Sequence, residues 1–494
     1  MTHRRRLSLI LGIIAFYLLL SLLWQDIYFA DESMYLQAGV RFRLAMFVNE
    51  LSFAPLYSMW YHALQTICPE PTVRYFLSWA LLVIATASVP VIFGLEYSVL
   101  FASVLLALPY FSIWPYVSLF ACIPLLAFAG FSLKRELTLS TVSMIACMAC
   151  FLVAFSRPEF AYGVFAGACA CIVFALVERT RAALAAVAVA LALSAAMSYP
   201  LKHSSSARSG IAFVQHFNLR AQQRHELPDA DPNTSLYAYR AFGIDVQSNG
   251  SENQVTAMDF YRANRRLFAR HLFRNLIDPR TLLLLGVLLG ALAWAWRTQR
   301  GSAFRPPIVF LALCSLPIFA AYIVVYPNMH YLTIIFPPLL IVGLEAWNPM
   351  AGLHLAPWKI VGCSVFMMLA FAAAKCMRSH KFPRPRPNLA MIRCMRSLDI
   401  VRPSPGATVL DPLVVPDTYF KLNKVITPAY LMPSWGQYSQ YVQANRPDWI
   451  LVPDSLSQQY GVTTDQITDL LATEKYTRYA CPAEATLNIF VAHR

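Results

Sequence analysis

Charge is what this sequence lacks. Asp, Glu, Lys and Arg supply only 13% of its 494 residues, where a soluble domain carries about 25%. Mean hydropathy is +0.50, and a water-soluble globular fold is excluded. Nucleotide-binding glycine loops are missing as well. Neither a Walker loop nor a dinucleotide fingerprint occurs, so nucleotide-driven transport has no support. Metal-ligand spacing is absent around His62 and His216, which argues against a zinc site. Cys147-x-x-Cys150 has metal or redox spacing, but it sits inside an apolar run without histidines and reads as packing. The run Leu7–Leu23 follows His3-Arg4-Arg5-Arg6, yet no small-residue cleavage site comes after it. It reads as a retained first helix rather than a signal peptide.

What is present is a succession of apolar runs, each long enough to cross a hydrocarbon core of ~30 Å as a helix. The spans fall near 7–24, 73–91, 97–111, 113–131, 138–155, 160–177, 182–200, 281–296, 307–326, 331–347 and 357–375. The expected fold is an α-helical polytopic membrane protein of about eleven helices. The net charge of +14 does not indicate nucleic acid, because much of the excess lies in short loops between spans. His3–Arg6, Lys134-Arg135, Arg179 and Arg181, Arg297, Arg300 and Arg305, and Lys359 all fall on one side. The positive-inside rule makes that side cytoplasmic, in the inner (plasma) membrane, with the N-terminus inside and the C-terminus outside. The outer side then receives the first loop (25–72), the turn 156–160, the long loop 201–280, the turn 326–331 and the tail.

The tail changes character. Lys381–Pro387 reads as a stiff proline-rich linker. Beyond it, Thr408–Asp411 and Trp449–Val452 read as short buried strands, with Asp465–Leu471 helical. The division expected is a membrane module over 1–375, followed over 376–494 by a linker and a small extracytoplasmic α/β or α+β domain. Cys394 and Cys481 could pair if that segment is extracytoplasmic.

Three places carry chemistry. Asp26, Asp31 and Glu32 follow the first apolar run directly. They read either as a solvated juxtamembrane turn or as the proton acceptor of an enzyme acting on a lipid substrate. Arg262, Arg266, Arg270 and Arg274 recur every four residues and predict one cationic stripe on an interfacial helix beside Phe268, Leu272 and Leu276. That stripe serves either as an anionic-lipid anchor or as a holder of a substrate phosphate. Arg157 and Glu159 occupy a short outer turn, as an interfacial ion pair or as ligands for phosphate and a sugar hydroxyl. Glu96 and Glu345, near cytoplasmic ends, read as solvated.

Phe29-Ala30-Asp31-Glu32-Ser33-Met34-Tyr35-Leu36 resembles the first-loop Asp-Glu motif of GT-C class membrane glycosyltransferases. The match lies toward the protein O-mannosyltransferase and lipid A aminoarabinose transferase branch. Phe53-Ala54-Pro55-Leu56-Tyr57 resembles the Pro-Pro-Leu-Tyr-like segment that follows the motif, with Ala54 where a proline is common. Arg157-Pro158-Glu159 sits where such enzymes carry a charged outer turn. His330-Tyr331-Leu332 and Phe336-Pro337-Pro338 resemble their Arg-Tyr-Leu…Pro segment, with His330 where an arginine is common.

The resemblance implies transfer of a monosaccharide from a polyprenyl-phosphate donor to an extracytoplasmic glycan, glycolipid or protein acceptor. The step it implies is a single displacement with inversion. Asp31 takes the role of general base and Glu32 that of its hydrogen-bonding or metal-orienting neighbour; Asp26 is a weaker third acid. Arg157, Arg262, Arg266, Arg270 and His330 are the candidate phosphate cations, with Glu159 and Tyr331 on substrate and Tyr35 and Tyr57 in support. No cofactor is specified, and a divalent cation is left open. Membrane lipids are the other partners. The alternatives are an O-antigen polymerase or ligase using a large outer loop, a transporter, or a non-catalytic assembly subunit. The absence of repeats and of midplane acids speaks against transport.

Overall fold

Proline sets several helix starts in this chain. Pro55, Pro71, Pro279, Pro357 and Pro387 each occupy the first helical position, where the missing N–H costs nothing and φ is already helical. The computed structural model describes residues 2–23, 25–27, 31–48, 54–108, 116–179, 188, 207–224, 237–244, 255–297, 305–325, 329–351, 356–378, 386–397, 408–410, 419, 424–426, 435–453, 456–457, 461–481 and 487–492. The expected span 182–200 lies outside them, apart from residue 188.

The helices are α1 (His3–Ser21), α2 (Asp31–Val40), α3 (Pro55–Ile67), α4 (Pro71–Ile92), α5 (Ser98–Ala107), α6 (Tyr116–Lys134), α7 (Leu139–Ala154) and α8 (Ala161–Val177). The long outer segment supplies α9 (Ala207–Gln223), α10 (Tyr237–Phe242), α11 (Ala257–Ala263) and α12 (Arg265–Leu276). There follow α13 (Pro279–Arg297), α14 (Arg305–Val324), α15 (Met329–Ala351), α16 (Pro357–Arg378) and α17 (Pro387–Ser397). Among the described residues, five helices are long and apolar enough to cross a membrane, or six if the bent pair α12–α13 counts as one span. α5 and α7 are apolar but only 10 and 16 residues long. The chain is compatible with a helical membrane protein.

By packing, the chain forms two units. One comprises Met1–Leu18, Arg43–Tyr57 and Ala80–Ala373; the other comprises Leu19–Phe42, Ser58–Trp79 and Ala374–Arg494. In the first, α7 and α8 run antiparallel at close range. Gly163 and Gly167 are spaced by four on α8, and a Cβ at Gly167 would press on the Cys147 backbone. Small residues at such a crossing let helix backbones approach where hydrophobicity alone drives nothing. Cys147 and Cys150 are buried in this contact.

Helix ends in this unit sort into two sets. Arg6 donates to the Leu95 carbonyl at 2.6 Å, and the Tyr97 N–H donates to Glu345 at 3.0 Å. Glu178 accepts from the Leu139 N–H at 2.7 Å. Arg6 of α1 and Glu345 of α15 thus meet at the residues joining α4 to α5, and Glu178 ties the end of α8 to the start of α7. Glu345, read as solvated from its position, instead caps the start of α5 and is largely buried there.

The described residues of the segment 201–280 do not form a bare loop. Phe213, Phe217, Tyr239, Phe242, Phe260 and Phe268 form a buried aromatic core, and Gly210 brings α9 against the Val255 carbonyl. Asn218 accepts from the Ala238 N–H at 3.1 Å and Arg220 pairs with Asp278 at 2.9 Å. The single four-arginine stripe is also corrected. Thr256 and Asp259 cap α11 reciprocally, and at Asn264 the chain leaves the helix (φ −148°, ψ 84°) and starts α12, its side chain accepting from Leu267. Arg262 belongs to α11 and faces Asp259 at 3.4 Å.

In the second unit, five strands form one mixed sheet: β1 (Thr408–Leu410), β2 (Lys424–Ile426), β3 (Trp449–Pro453), β4 (Tyr476–Ala480) and β5 (Leu487–Ala492), in order β2-β1-β3-β5-β4. β1 pairs parallel with β2 and β3, while β5 runs antiparallel to β3 and β4. α18 (Trp435–Asn445) and α19 (Thr464–Thr473) cover it through Tyr438, Val442, Ile467 and Leu471. Of the expected linker only Arg386 and Pro387 are described, and Pro387 opens α17. Cys394 of α17 is disulfide-bonded to Cys481 at the end of β4.

Candidate functional site

The segment 25–72, expected as an outer loop, folds as helices. Tyr57, Tyr61 and Leu64 recur at helical spacing along α3 and are buried. Gly39 lets α2 pass α3 closely, since a Cβ there would collide with the Cβ of Tyr61. That crossing delivers Glu32 to Tyr61: the tyrosine hydroxyl donates to the Glu32 carboxylate at 2.5 Å, and both residues are 0% exposed. A carboxyl taken out of water at a cost of several kcal/mol needs such a partner. Glu32 is therefore not part of a solvated turn. Next to it, Ser33 shares a hydrogen bond of 2.9 Å with the hydroxyl of Tyr419, whose own pKa burial pushes up. Tyr35 is buried on the same helix. Asp31 is the first residue of α2; its side chain lies outside the described part.

Asp26 has a different occupation. Its carboxylate accepts from the backbone N–H groups of Asn388 and Leu389, both at 2.9 Å, and Asn388 returns a bond to the Ile27 carbonyl at 2.7 Å. It caps α17, filling donors that a helix start leaves open. Burial raises the Asp26 pKa above its ordinary 3.8, and the N–H bonds and Arg386 offset only part of that. The folded state thus holds the proton more tightly than the unfolded chain. Asp26's contribution to stability is complete below the ordinary value and declines as pH rises through the raised one. We expect Asp26→Ala to lower stability by about 1–2 kcal/mol. Thermal unfolding checks this, and unchanged stability would show that the cap contributes nothing.

Sequence reasoning missed one cation in this unit. Arg74, at the start of α4, is 1% exposed. It donates to the Cys68 and Pro69 carbonyls at 2.9 and 2.7 Å. A lone arginine flanking an apolar run looks like an ordinary boundary charge, so nothing marked it. Glu70 nearby is held by the Val73 N–H and by Arg396, both at 2.6 Å. Burial pushes the Glu70 carboxyl up, but these donors pull harder and leave it below its ordinary value.

In the first unit, three segments far apart in sequence meet. The Leu56 N–H, an open donor in the first turn of α3, bonds to the Phe155 carbonyl at 3.3 Å, and the Tyr57 ring lies 5.1 Å from Phe120. Two residues beyond Phe155, the Arg157 guanidinium donates to Ser118 at 2.7 Å and sits 5.4 Å over the ring of Tyr331. Ala54 explains one departure from the motif: its φ of +37° is closed to proline, whose ring fixes φ near −65°. Glu159 keeps one carboxylate oxygen (Oε1) shielded from water with no hydrogen-bond partner among the described residues. Buried polar atoms of this kind call for an explanation, and a bound ligand is one.

Tyr57, Arg157, Glu159 and Tyr331 are thus gathered in one place. The backbone of His330 lies in the first turn of α15, and its side chain is outside the described part. Arg262, Arg266 and Arg270 are exposed on α11 and α12. Among the described residues no group of three His, Cys, Asp or Glu side chains is placed to hold a metal ion. No family model matches the chain, and neither a curated protein nor a solved structure does.

Proposed function

We propose that the protein is a membrane glycosyltransferase that moves a monosaccharide from a polyprenyl-phosphate donor to a hydroxyl acceptor at the outer membrane face. The observation that carries this reading is the convergence of the 54–57 segment, the Arg157 turn and Tyr331, which are remote in sequence. A guanidinium steered by a serine and an aromatic face, beside a carboxylate oxygen without a hydrogen-bond partner among the described residues, suits a phosphate and a sugar hydroxyl. Glu32 adds support, because a fully buried carboxyl bonded to Tyr61, next in sequence to Asp31, is a built feature rather than a surface acid.

In the proposed step Asp31 accepts the acceptor's hydroxyl proton while the oxygen bonds to the anomeric carbon. The carbon–oxygen bond to phosphate breaks, and a cationic side chain neutralises the departing phosphate. One displacement inverts the anomeric centre. The Cys394–Cys481 disulfide favours an oxidising, extracytoplasmic side for the tail.

The test is proteoliposomes bearing the purified chain, supplied with a panel of radiolabelled polyprenyl-phosphate sugars and an extract of envelope glycans. Label is expected to leave one donor only when the chain is present, with inverted configuration in the product. A panel in which no donor is consumed above empty vesicles overturns the proposal.

A further inference from the structure

The two faces of α12 are bound to different things. On the inner face, Asn275 donates to the Ile323 carbonyl at 3.0 Å, and His271 lies 3.2 Å from the Val324 carbonyl. These are the last carbonyls of α14, which no residue of its own helix can satisfy. α12 therefore lies across the end of an apolar 20-residue helix, at the level where such a helix leaves the hydrocarbon. After Leu276 the chain bends by 60° into α13. Asp278 fixes the bend, accepting from the Arg280 N–H at 3.0 Å while paired with Arg220.

Among the described residues nothing covers the outer face. Phe273 is 60% exposed, Ile277 49% and, on α13, Leu283 68%. Above this apolar edge stand Arg265, Arg266 and Arg270, all exposed, and Arg265 lies 5.5 Å over the Tyr261 ring. Among the described residues no carboxylate pairs with these three; the one acid on α11, Asp259, is taken by Arg262. Basic residues above an apolar strip, on a helix fixed in the membrane plane, match an acyl–headgroup boundary. Neutral headgroups would leave three adjacent cations uncompensated.

We propose that the outer face of α12 docks on anionic phospholipid headgroups, with Arg265, Arg266 and Arg270 on their phosphates and Phe273 and Ile277 in the acyl region. This separates these arginines from the Arg157 site and does not depend on the glycosyltransferase reading.

The test uses the full chain, equilibrated in vesicles of equal parts phosphatidylglycerol and phosphatidylcholine and released into mild detergent, with retained lipid counted by mass spectrometry. Wild type is expected to retain phosphatidylglycerol in clear excess. The triple variant R265Q/R266Q/R270Q is expected to lower that excess at least about fivefold, and R297Q/R305Q at the other membrane end to leave it unchanged. Arg265, Arg266, Arg270 and Arg297 are exposed and Arg305 is half-buried, and folding of each variant is verified by gel filtration. Undiminished excess in the triple variant overturns the proposal. So does displacement of the retained phosphatidylglycerol by an equimolar short-chain polyprenyl phosphate, which would make the face a donor site.

Discussion

Asp31→Asn is expected to reduce kcat/KM for sugar transfer by about 10²–10⁴-fold, the range for loss of a positioned general base, while leaving stability almost unchanged. The second half of that statement makes the experiment clean. Asp31 opens α2, and Asn serves a helix start about as well as Asp. The helix therefore keeps its start and loses only a proton acceptor. Glu32→Gln provides the contrast. Its carboxylate is fully buried and accepts the Tyr61 hydroxyl at 2.5 Å. The amide keeps one acceptor but replaces the other carboxylate oxygen by a buried N–H₂ donor in a place folded around a carboxylate, at a cost of about 1–3 kcal/mol. Glu32→Gln should lower the unfolding temperature, with turnover falling only as far as α2 is displaced. The pair separates chemistry from architecture. Near-wild-type turnover by a well-folded Asp31→Asn protein removes Asp31 from the base role. Equal stability losses in both variants would mean that Asp31 is structural.

How far these assignments could be read from sequence depends on the distance over which each is decided. The described apolar runs are helical because their length and composition are local properties. The strands at 408–410 and 449–453 were legible for the same reason. The break in the arginine stripe was written locally too, in Thr256-x-x-Asp259 and in Asn264 ahead of an amphipathic run, but the four-residue recurrence of arginine masked it. Helices inside 25–72 were signalled by Pro55 and by Tyr57, Tyr61 and Leu64 at helical spacing. What could not be read are the long pairings. Asp26 caps a helix 362 residues away, Ser33 meets a tyrosine 386 residues away, and Glu345 caps a helix 248 residues before it. An acid beside an apolar run gives no sign of such a partner, so Glu345 looked solvated and Asp26 looked like a weaker third candidate acid. Of the candidate site, residue types and their order were legible, whereas the placing of Tyr57, Ser118, Arg157 and Tyr331 together required the fold.

Phe213→Ala is expected to be the most disruptive single change outside the membrane-spanning helices. Phe213 is 0% exposed, and its ring lies 4.8 Å from Phe260, 5.3 Å from Phe268, 5.6 Å from Phe242, 5.8 Å from Phe217 and 5.2 Å from His271. Those partners come from α9, α10, α11 and α12, so one side chain joins four helices. Truncation of a buried phenylalanine costs about 3–5 kcal/mol. In a chain of two packing units a single unfolding temperature would blur that loss, so the readout is amide hydrogen exchange of peptides from α9 and α12. Their protection should fall by roughly two to three powers of ten, with α7 and α8 unchanged. Phe213→Leu, which keeps most of the volume, should lose much less. Unaltered exchange in the alanine variant would show that the aromatic core is not what holds this segment. The same loosening reaches the lipid face, because Phe268 and His271 of α12 pack on Phe213 from the side opposite the outer arginines. If α12 must be held rigid across the end of α14 to present Arg265, Arg266 and Arg270 together, Phe213→Ala should weaken phosphatidylglycerol retention although it removes no charge.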